Sequence, residues 1–206
     1  VDYFVEDEPL GTGGALLMAA QGLKETFLVL NGDTFFEVDL NNLIVFHKKQ
    51  QSEWTLLLFK SNQLGRYMGV DLADDGKILS LQTGGNELTL LANGGVYLVN
   101  PSALKRLNYK PYIKSSLEND LLPKFISLGG GLYGFESSGK FIDIGVPEDY
   151  YRAQEILKDW LEYIYEYKLF LVNIKDSDSK KNNIILIHLF EKIVSRKPIK
   201  FDIVIN

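Results

Sequence analysis

Two aspartates stand where apolar strands end, which is where an α/β protein places ligands for a hard cation. Asp33 follows the apolar run 27–30, and Asp143 lies between Ile142 and Ile144, just before a Gly-Val-Pro turn. A carboxylate among aliphatic neighbours is costly unless it has a partner, and oxygen ligands suit Mg²⁺. We therefore expect Asp33 and Asp143 to meet at the carboxyl edge of one parallel sheet and to share a Mg²⁺, whose remaining ligands come from phosphate and water. The alternative for Asp33 is a carboxylate that only caps its turn.

A glycine-rich segment, Glu6 to Ala15 (EDEPLGTGGA), precedes a predicted helix. Glycines let backbone amides come close to a ligand, and the N-terminus of a helix offers free N–H groups. The segment is not followed by GK[ST], as a phosphate-binding Walker loop is, and it lacks the GxGxxG spacing of a dinucleotide site. It therefore predicts either a ligand-binding loop or only a turn capped by Thr12.

A third candidate is Asn93-Gly94-Gly95, which precedes the predicted strand 96–99. The glycines would let a sugar approach, and Asn93 could bond a hydroxyl, although a plain hairpin turn explains the same residues. The two histidines, His47 and His188, have no carboxylate or serine partner in the local sequence. We expect both to be surface or packing residues rather than catalysts.

The elements that must position these residues alternate between strand and helix, which predicts a Rossmann-like, mostly parallel sheet with helices on both faces. The first predicted elements are strands at 3–5, 26–30 and 55–60 and helices at 13–22 and 40–50. Short strands separated by DDG and GGN turns predict a small antiparallel insertion; they are 70–72, 78–82, 88–91 and 96–99. Later elements are helices at 101–107 and 117–127, a strand at 132–135, and a closing helix from Pro147. Ser116 is the predicted N-cap of the second of these helices, and we expect the tyrosines of the closing helix to form a packing face.

Composition limits the class of protein. The 206 residues carry a net charge of -5, which leaves no basic surplus for a nucleic-acid backbone. With no cysteine, neither a disulfide framework nor a thiolate metal site is available, which suits a cytoplasmic protein. The apolar runs are far too short to span a membrane. These features argue against a nucleic-acid partner and against a membrane span.

The composition changes after Tyr167. The formal charge is -9 for residues 1–167 and +4 for residues 168–206, where Ile, Lys and Asn are frequent. We therefore predict a catalytic domain over 1–167 and a divergent appendage over 168–206. The appendage should add nothing to the site and pack poorly or at the periphery, with the apolar run Ile184 to Phe190 forming a strand or short helix laid on the surface or against a dimer partner.

Five segments, taken in order, resemble the sugar-1-phosphate nucleotidyltransferase family. They are EDEPLGTGGA, NGDTFF, NGGVYLVNP, SLENDLLP and FIDIGVPEDYYRAQE, and the resemblance covers about residues 1 to 165. Each segment alone is weak, but five in the same order are specific. The last one is most similar to the heptose 1-phosphate guanylyltransferase branch, with the mannose-1-phosphate enzymes close to it.

The resemblance implies the nucleotide-diphospho-sugar transferase fold and the transfer of a nucleotidyl group from a nucleoside triphosphate, GTP in the closest branch, to a sugar 1-phosphate. It places the nucleotide at Glu6, Pro9, Gly11 and Thr12, the sugar at Gly69, Asn93, Gly94 and Glu118, and Mg²⁺ at Asp33 and Asp143. Asp33 and Asp143 are accordingly the expected catalytic residues. The resemblance leaves the oligomeric state, including a homo-oligomer, open.

Three departures from the family pattern stand out. The chain has no GGxGTRL loop with its following lysine, the segment that binds the triphosphate, and we expect roughly two N-terminal βα units, on the order of 60 residues, to be missing. The family's Glu-Lys pair is absent near Leu81, and Met68 stands where glycine follows Arg-Tyr, with glycine displaced to Gly69. We therefore expect no measurable transfer by this chain alone. The alternative is a non-catalytic homologue that binds nucleotide, sugar phosphate or a partner subunit.

Overall fold

The computed structural model describes residues 4–61, 63, 66–82, 91–110, 112–157, 184–187 and 203–205. In chain order its elements are α1 (Gly11–Ala19), β1 (Phe27–Asn31), β2 (Thr34–Phe36), α2 (Leu40–Lys49), β3 (Trp54–Lys60), β4 (Gly69–Leu72), β5 (Ile78–Gln82), β6 (Leu91–Val99), α3 (Pro101–Leu107), a π-helical turn (Leu117–Leu121), α4 (Leu122–Ser127), β7 (Leu132–Glu136), β8 (Phe141–Asp143), α5 (Pro147–Ile156), β9 (Ile184–Ile187) and β10 (Ile203–Ile205). These bounds lie close to those predicted for the same elements. The predicted strand 3–5 is wrong for its described residues, 4 and 5, which form no strand. The predicted strand 88–91 is described only from Leu91 onward.

The main sheet has the strand order β10-β9-β1-β6-β3-β7, and β4 and β5 form a hairpin that joins it at β6. The predicted α/β class is confirmed. Strand direction differs from the prediction, because within the described residues β3 with β7 is the only parallel pair. β6 lies between β1 and β3 and is antiparallel to both.

The reason for this difference is the connection between the strands. A helical crossover links parallel strands, whereas a hairpin reverses the chain. β1, β3 and β7 share one direction, as the βαβ rhythm predicts. The β4–β5 hairpin turns the chain back, so β6 enters between β1 and β3 in the opposite sense.

Side chains of the sheet alternate between two hydrophobic clusters, one on each face. In β1, Phe27 and Val29 face α1, α3 and α4, while Leu28 joins Leu43 of α2 on the other face. Trp54 and Tyr97 are fully buried in the first cluster. Helices therefore cover both faces of the sheet, as predicted.

Asp39 caps α2 by accepting hydrogen bonds from the backbone N–H groups of Asn41 and Asn42. His47 is buried on the same helix, and its Nδ1 lies 2.8 Å from Thr55 Oγ1 of β3. The prediction that His47 is a packing residue is confirmed. His188 lies outside the described residues.

The closing helix departs from one prediction. α5 contacts the body through Asp149 and Ala153, which are buried, whereas Tyr151 is 70 % exposed and Tyr150 is 37 % exposed. Residues 149 and 153 are four apart and share a helix face, so the adjacent tyrosines are turned away from it. The expected aromatic packing face is therefore wrong for these two tyrosines, and the aromatic residues from Trp160 onward lie outside the described residues.

The two strands of residues 168–206 lie at the edge of the main sheet. β9 pairs antiparallel with β1, and β10 pairs with β9. Ile184–Ile187 is a strand, as expected, but it is hydrogen-bonded into the sheet rather than laid on the surface of the domain. The division of the chain at residue 167 remains a prediction. Among the described helices none is long and apolar enough to span a membrane.

Candidate active site

Asp33 and Asp143 approach each other although 110 positions separate them in the sequence. Asp33 follows β1 by two residues, and Asp143 ends β8, where it pairs with Thr34 of β2. The backbone N–H of Ile144 donates to the carbonyl oxygen of Asp33 over 2.8 Å. The structure therefore brings both aspartates together, but through a separate two-stranded sheet, β2 with β8, rather than at the edge of one parallel sheet.

Gly145 keeps the space between the two carboxylates open. A Cβ placed on Gly145 would lie 3.0 Å from Asp143 Oδ1 and 3.5 Å from Asp33 Oδ2. These two oxygens are therefore at most about 6.5 Å apart, the sum of the two distances. Carboxylate oxygens are ligands that Mg²⁺ prefers, so this pair fits a Mg²⁺ that would complete its coordination with water or substrate oxygens. The described residues hold no cluster of three or more His, Cys, Asp or Glu side chains, so the aspartate pair would hold the ion without a third such side chain.

The charge of Asp33 is unfavourable in its surroundings. Partial removal from water and the neighbouring Asp143 carboxylate raise the pKa of Asp33 above its ordinary value. Much of Asp33 is still open to solvent. A cation bound between the two carboxylates would relieve this repulsion.

A hydrogen-bonded chain of side chains runs beside the aspartates and connects the predicted nucleotide and sugar residues. The hydroxyl of Thr12 donates to Glu118 Oε2 over 3.3 Å, and the hydroxyl of Tyr97 donates to Glu118 Oε1 over 3.1 Å. Asn93 Nδ2 donates to the Tyr97 hydroxyl over 2.7 Å. The backbone N–H of Leu117 donates to Thr12 Oγ1 over 2.8 Å, so the Thr12 hydroxyl both donates and accepts a hydrogen bond.

Glu118 is held in place by the turn that carries it. Ser116 accepts a hydrogen bond from the backbone N–H of Asn119, so it is the N-cap that the sequence predicts. The backbone N–H of Ser116 in turn donates to Asp120 Oδ2 over 2.7 Å. Residues 117–121 form a π-helical turn, a feature that is rare and is often found at functional sites.

Two cavities meet at the hydrogen-bonded side chains of Thr12, Glu118 and Asn93. The α1 cavity, about 490 Å³, is lined by Gly11, Thr12, Asn31, Asp33, Lys114, Ser115, Ser116, Glu118 and Asp120. The β6 cavity, about 210 Å³, is lined by Asn31, Asp33, Thr34, Arg66, Tyr67, Met68, Asn93, Gly95, Glu118, Phe141 and Asp143. Asn31, Asp33 and Glu118 line both cavities, so two ligand groups could lie side by side across Asp33.

The glycine-rich segment mainly serves close packing of the backbone. The N–H groups of Gly13 and Gly14 donate to the Ser115 carbonyl over 2.8 and 3.2 Å. A Cβ on Gly11 would lie 2.7 Å from the same oxygen, and Gly11 has a positive φ of 72°. Of the predicted nucleotide residues, Gly11 and Thr12 line the α1 cavity. The prediction of free helical N–H groups is wrong for Gly13 and Gly14, because Ser115 already accepts their bonds.

Glu6 and Pro9 are not among the described residues that line either cavity. The backbone N–H of Leu10 donates to Glu6 Oε2 over 3.1 Å, which closes the loop before α1. Glu6 Oε1 is buried and has no hydrogen-bond partner among the described residues. Glu6 therefore retains an acceptor for a ligand, while Pro9 is exposed.

The two glycines after Asn93 have different surroundings. A Cβ on Gly94 would lie 2.3 Å from Phe36 Cδ1, so Gly94 packs against an aromatic ring. Gly95, with φ of 71°, lines the β6 cavity, and its N–H donates to Asn93 Oδ1 over 3.2 Å. Of the two glycines, Gly95 lines the β6 cavity and Gly94 does not.

Gly69 is buried in β4 opposite Ala92, and its neighbour Met68 lines the β6 cavity in its place. The carbonyl oxygen of Met68 accepts a hydrogen bond from the Asn93 backbone N–H over 3.0 Å. The segment 68–69 thus supports Asn93, although Gly69 does not itself line the cavity.

Arg66 and Tyr97 are site residues that the sequence analysis missed. Arg66 ion-pairs with Asp149, which is 83 positions away, and its Nη2 lies 3.8 Å from Asp143 Oδ2. Tyr97 is fully buried, and desolvation together with the nearby Glu118 carboxylate raises its pKa well above the ordinary value, so the phenol keeps its proton. The polar tip of Tyr97 in an otherwise apolar strand was the one sequence signal available.

Comparison with known proteins places the chain among enzymes. A nucleotidyl transferase family model matches residues 1–159. The chain is 35 % identical over 162 residues to D-glycero-alpha-D-manno-heptose 1-phosphate guanylyltransferase of Aneurinibacillus thermoaerophilus, covering 78 % of this chain and 69 % of that protein. It is 36 % identical over 151 residues to the enzyme of that name from Campylobacter jejuni, covering 73 % of this chain and 65 % of that protein.

The shared length varies among relatives. The probable mannose-1-phosphate guanylyltransferase 1 of Oryza sativa is 34 % identical, and the chain spans only 44 % of its length. Among solved structures, HddC from Yersinia pseudotuberculosis has 35 % identity and a TM-score of 0.64, over 76 % of this chain and 67 % of that one. HddC has also been solved in complex with GMP-PN. The chain therefore belongs to the nucleotidyl transferase family.

Proposed function

We propose that this chain, as a member of that family, serves the transfer of GMP from GTP to a heptose or mannose 1-phosphate, giving a GDP-sugar and pyrophosphate. The observation that carries the proposal is the meeting of the Asp33 and Asp143 carboxylates with the chain of Thr12, Glu118 and Asn93 at the junction of two cavities. The guanylyltransferases of heptose 1-phosphate and mannose 1-phosphate among its relatives support the choice of base and sugar.

In this reaction an oxygen of the sugar 1-phosphate attacks the α-phosphorus of GTP. The bond from that phosphorus to the oxygen that bridges to the β-phosphate breaks, and pyrophosphate leaves. Because no covalent intermediate with the protein is needed, the residues act by positioning two anionic substrates and by stabilising charge.

Asp33 and Asp143 would hold Mg²⁺, as their proximity and the space kept open by Gly145 allow. A bound Mg²⁺ would offset the negative charge of the phosphates and polarise the phosphoryl group. Burial and the neighbouring Asp143 carboxylate raise the pKa of Asp33, and a bound cation would offset both effects.

The β6 cavity is proposed as the sugar site and the α1 cavity as the nucleotide site. Asn93 and Glu118 present an amide and a carboxylate to hydroxyl groups, and Gly95 leaves room for close approach. In the α1 cavity Lys114 supplies a positive charge beside Asp33, Glu118 and Asp120. Glu6 Oε1 has no hydrogen-bond partner among the described residues, and we assign it to the N–H donors of guanine, which would have to reach it from beyond the lining of the α1 cavity.

The alternative of a non-catalytic homologue is not favoured. The relatives of this chain are named as transferases, and the carboxylates of Asp33 and Asp143 lie close together. We also propose that the protein acts in the cytoplasm, where GTP is available, and that its GDP-sugar product is used to build surface polysaccharide.

Ligand binding by the 206-residue chain tests the proposal without requiring turnover. We expect GDP-mannose or the corresponding GDP-heptose, with Mg²⁺, to raise the melting temperature, since a ligand at 100 times its dissociation constant adds about 2.7 kcal/mol. UDP-glucose at the same concentration should have less effect. The proposal fails if no GDP-sugar binds, and its base assignment fails if UDP-glucose binds as well as GDP-mannose.

A further inference from the structure

The β6 cavity contains one basic side chain among its described lining residues, and that side chain lies next to a proposed metal ligand. Arg66 Nη2 is 3.8 Å from Asp143 Oδ2, which is an ion pair but longer than a hydrogen bond. The same nitrogen donates directly to Asp149 Oδ2. The guanidinium thus lies between the carboxylates of Asp143 and Asp149, and it is hydrogen-bonded to Asp149.

Asp149 is well placed to hold the guanidinium there. Its side chain is only 6 % exposed and lies in the first turn of α5, where the helix fixes its position. Its Oδ1 accepts from Arg152 Nη1, so both oxygens are engaged. Arg66 Nη1 also donates to Gln63 Oε1 over 2.9 Å, and its guanidinium carbon lies 4.9 Å from the centre of the Tyr67 ring.

Asp143 is therefore left with oxygen lone pairs that no arginine occupies. Its Oδ1 accepts from the Gly145 N–H over 2.8 Å, and its Oδ2 has Arg66 nearby but not bonded. An arginine fork binds a carboxylate in two-pronged fashion when it is free to do so. Without Asp149, the nearest carboxylate to Arg66 is Asp143, and a fork on Asp143 would take the oxygens that a cation needs.

We propose that Asp149 is a positioning residue for the divalent-cation site, because it holds Arg66 away from Asp143, and that Arg66 competes with the cation for that carboxylate. This inference rests on the proposed function, since it requires that Asp33 and Asp143 bind the ion. Arg66 limits the affinity of the aspartate pair in the absence of substrate, and Asp149 prevents it from closing the pair altogether.

The test is a titration of the full 206-residue chain with Mn²⁺, a spectroscopic substitute for Mg²⁺, in which electron paramagnetic resonance measures the free ion. Arg66→Gln should bind Mn²⁺ more tightly and Asp149→Asn more weakly, each by about tenfold, the range typical for residues that support metal ligands. Arg152→Gln is the matched control. It removes the other partner of Asp149, leaves the bond to Arg66, and should bind Mn²⁺ as the unaltered protein does.

The double variant Arg66→Gln with Asp149→Asn separates positioning from damage to the fold. If Asp149 acts only through Arg66, the double variant binds Mn²⁺ as tightly as Arg66→Gln. If it binds as weakly as Asp149→Asn, the role of Asp149 is structural and the inference is overturned.

Asp143→Asn distinguishes failure of the proposed metal site from failure of the positioning role of Asp149. Loss of Mn²⁺ binding in this variant, with no change in Arg66→Gln or Asp149→Asn, overturns only the positioning role. Mn²⁺ binding that is unchanged by Asp143→Asn, or absent from both the unaltered protein and Arg66→Gln, overturns the metal site and the positioning role together.

Discussion

At the scale of single residues, the site depends on polar groups whose partners are far away in the sequence. Tyr97 joins Asn93 to Glu118, and Thr12 holds the other oxygen of that carboxylate. A carboxylate that is bonded at both oxygens is fixed in direction. It still has lone pairs for a sugar hydroxyl, because each oxygen has two.

Tyr97→Phe should weaken binding of GDP-mannose and lower stability. The change removes the hydroxyl of the buried Tyr97 and leaves the half-buried Glu118 and Asn93 each without one partner, which costs about 1 kcal/mol. Calorimetric titration and urea unfolding measure the two effects. Tyr151→Phe, at a side chain that is 70 % exposed, is the control, and an equal loss in both variants would count against the role of Tyr97.

Asp33→Asn should raise stability at neutral pH while removing metal-dependent ligand binding. The raised pKa of Asp33 means that the folded state holds its proton more tightly than the unfolded chain does. Above that raised pKa the folded protein therefore carries a charge it disfavours, and the amide removes it. We expect a rise of at most about 3 °C in melting temperature.

The gain from Asp33→Asn should disappear as the pH falls through the raised pKa toward the ordinary value of 3.8, since the carboxyl is then protonated in the unaltered protein too. Melting curves recorded from pH 7 to pH 3 follow it. A variant that is less stable than the unaltered protein at pH 7 would show that burial and Asp143 do not disfavour the charge of Asp33.

The sequence could predict Asp33 and Asp143 because each ends an apolar strand, which is a local signal. It could not predict the ion pair of Arg66 with Asp149, which depends on how two segments meet in space. Nor could the sequence predict that Gly95 rather than Gly94 lines the β6 cavity, because neighbouring residues of a strand lie on opposite faces of the sheet. Local patterns thus find the groups that do chemistry more readily than the groups that orient them.

At the scale of elements, most helices and strands begin and end near their predicted residues, since hydrophobic period and capping residues are local. The placement of β6 between β1 and β3 and the separate β2–β8 sheet are not local features. They decide how Asp143 reaches Asp33. The sequence therefore predicted the elements and the meeting of the aspartates, but not the sheet that joins them.

The positive φ of Gly95 in the middle of β6 can be tested with a pair of glycine variants. Gly22→Ala meets no atom within 4 Å and should cost about 1 to 2 kcal/mol for its positive φ alone. Gly95→Ala has a similar φ, but its Cβ would lie 2.8 Å from both Asn31 Nδ2 and Thr34 Oγ1. We expect it to lose more stability in urea unfolding than Gly22→Ala, and to weaken GDP-mannose binding. Equal losses would mean that the contacts beneath Gly95 are unimportant.

The contact between α2 and β3 should make stability depend on pH. Burial lowers the pKa of His47, so the unfolded chain binds the proton more readily than the folded protein does. The stability from this group is complete above the ordinary pKa of 6.5 and decreases as the pH falls through it, by up to about 1.4 kcal/mol at pH 5.5. Urea unfolding at pH 7.5 and 5.5 measures it. His47→Gln should lose this difference, and an unchanged difference would assign it to other groups.

At the scale of the whole molecule, the chain has a segment that matches the family and a C-terminal tail, residues 168–206, whose strands β9 and β10 extend the main sheet. Residues 1–159 match the family, and the chain spans 69 % and 65 % of two heptose 1-phosphate guanylyltransferases and 44 % of a mannose-1-phosphate relative. The composition change at residue 167 was visible in the sequence. The pairing of β9 with β1 was not, because a strand of four apolar residues can pair with many edges.

Deletion of residues 168–206 should lower the melting temperature by at least about 3 °C, because it exposes the backbone of β1 that β9 covers. Deletion of residues 203–206 alone removes β10 and leaves β9 in place, so its effect should be smaller. Differential scanning calorimetry compares the three chains. An unchanged melting temperature after the longer deletion would show that the tail contributes no stability.

Turnover by the chain is a separate expectation. We predict no release of pyrophosphate above background from GTP and mannose 1-phosphate, because these 206 residues do not contain the GGxGTRL segment to which the resemblance assigns triphosphate binding. A coupled pyrophosphate assay with a full-length relative as positive control measures this. Release that Asp33→Asn abolishes would show that other residues of the chain hold the triphosphate.

The central claim is that Asp33 and Asp143 form a metal-assisted site for a nucleotide-linked sugar, and one titration tests it most directly. Calorimetry of GDP-mannose binding is carried out with and without Mg²⁺, for the unaltered chain and for Asp143→Asn. The account predicts that Mg²⁺ strengthens binding at least about tenfold in the unaltered chain and has no effect in the variant. Equal Mg²⁺ dependence in both proteins, or no binding of GDP-mannose by either, would contradict it.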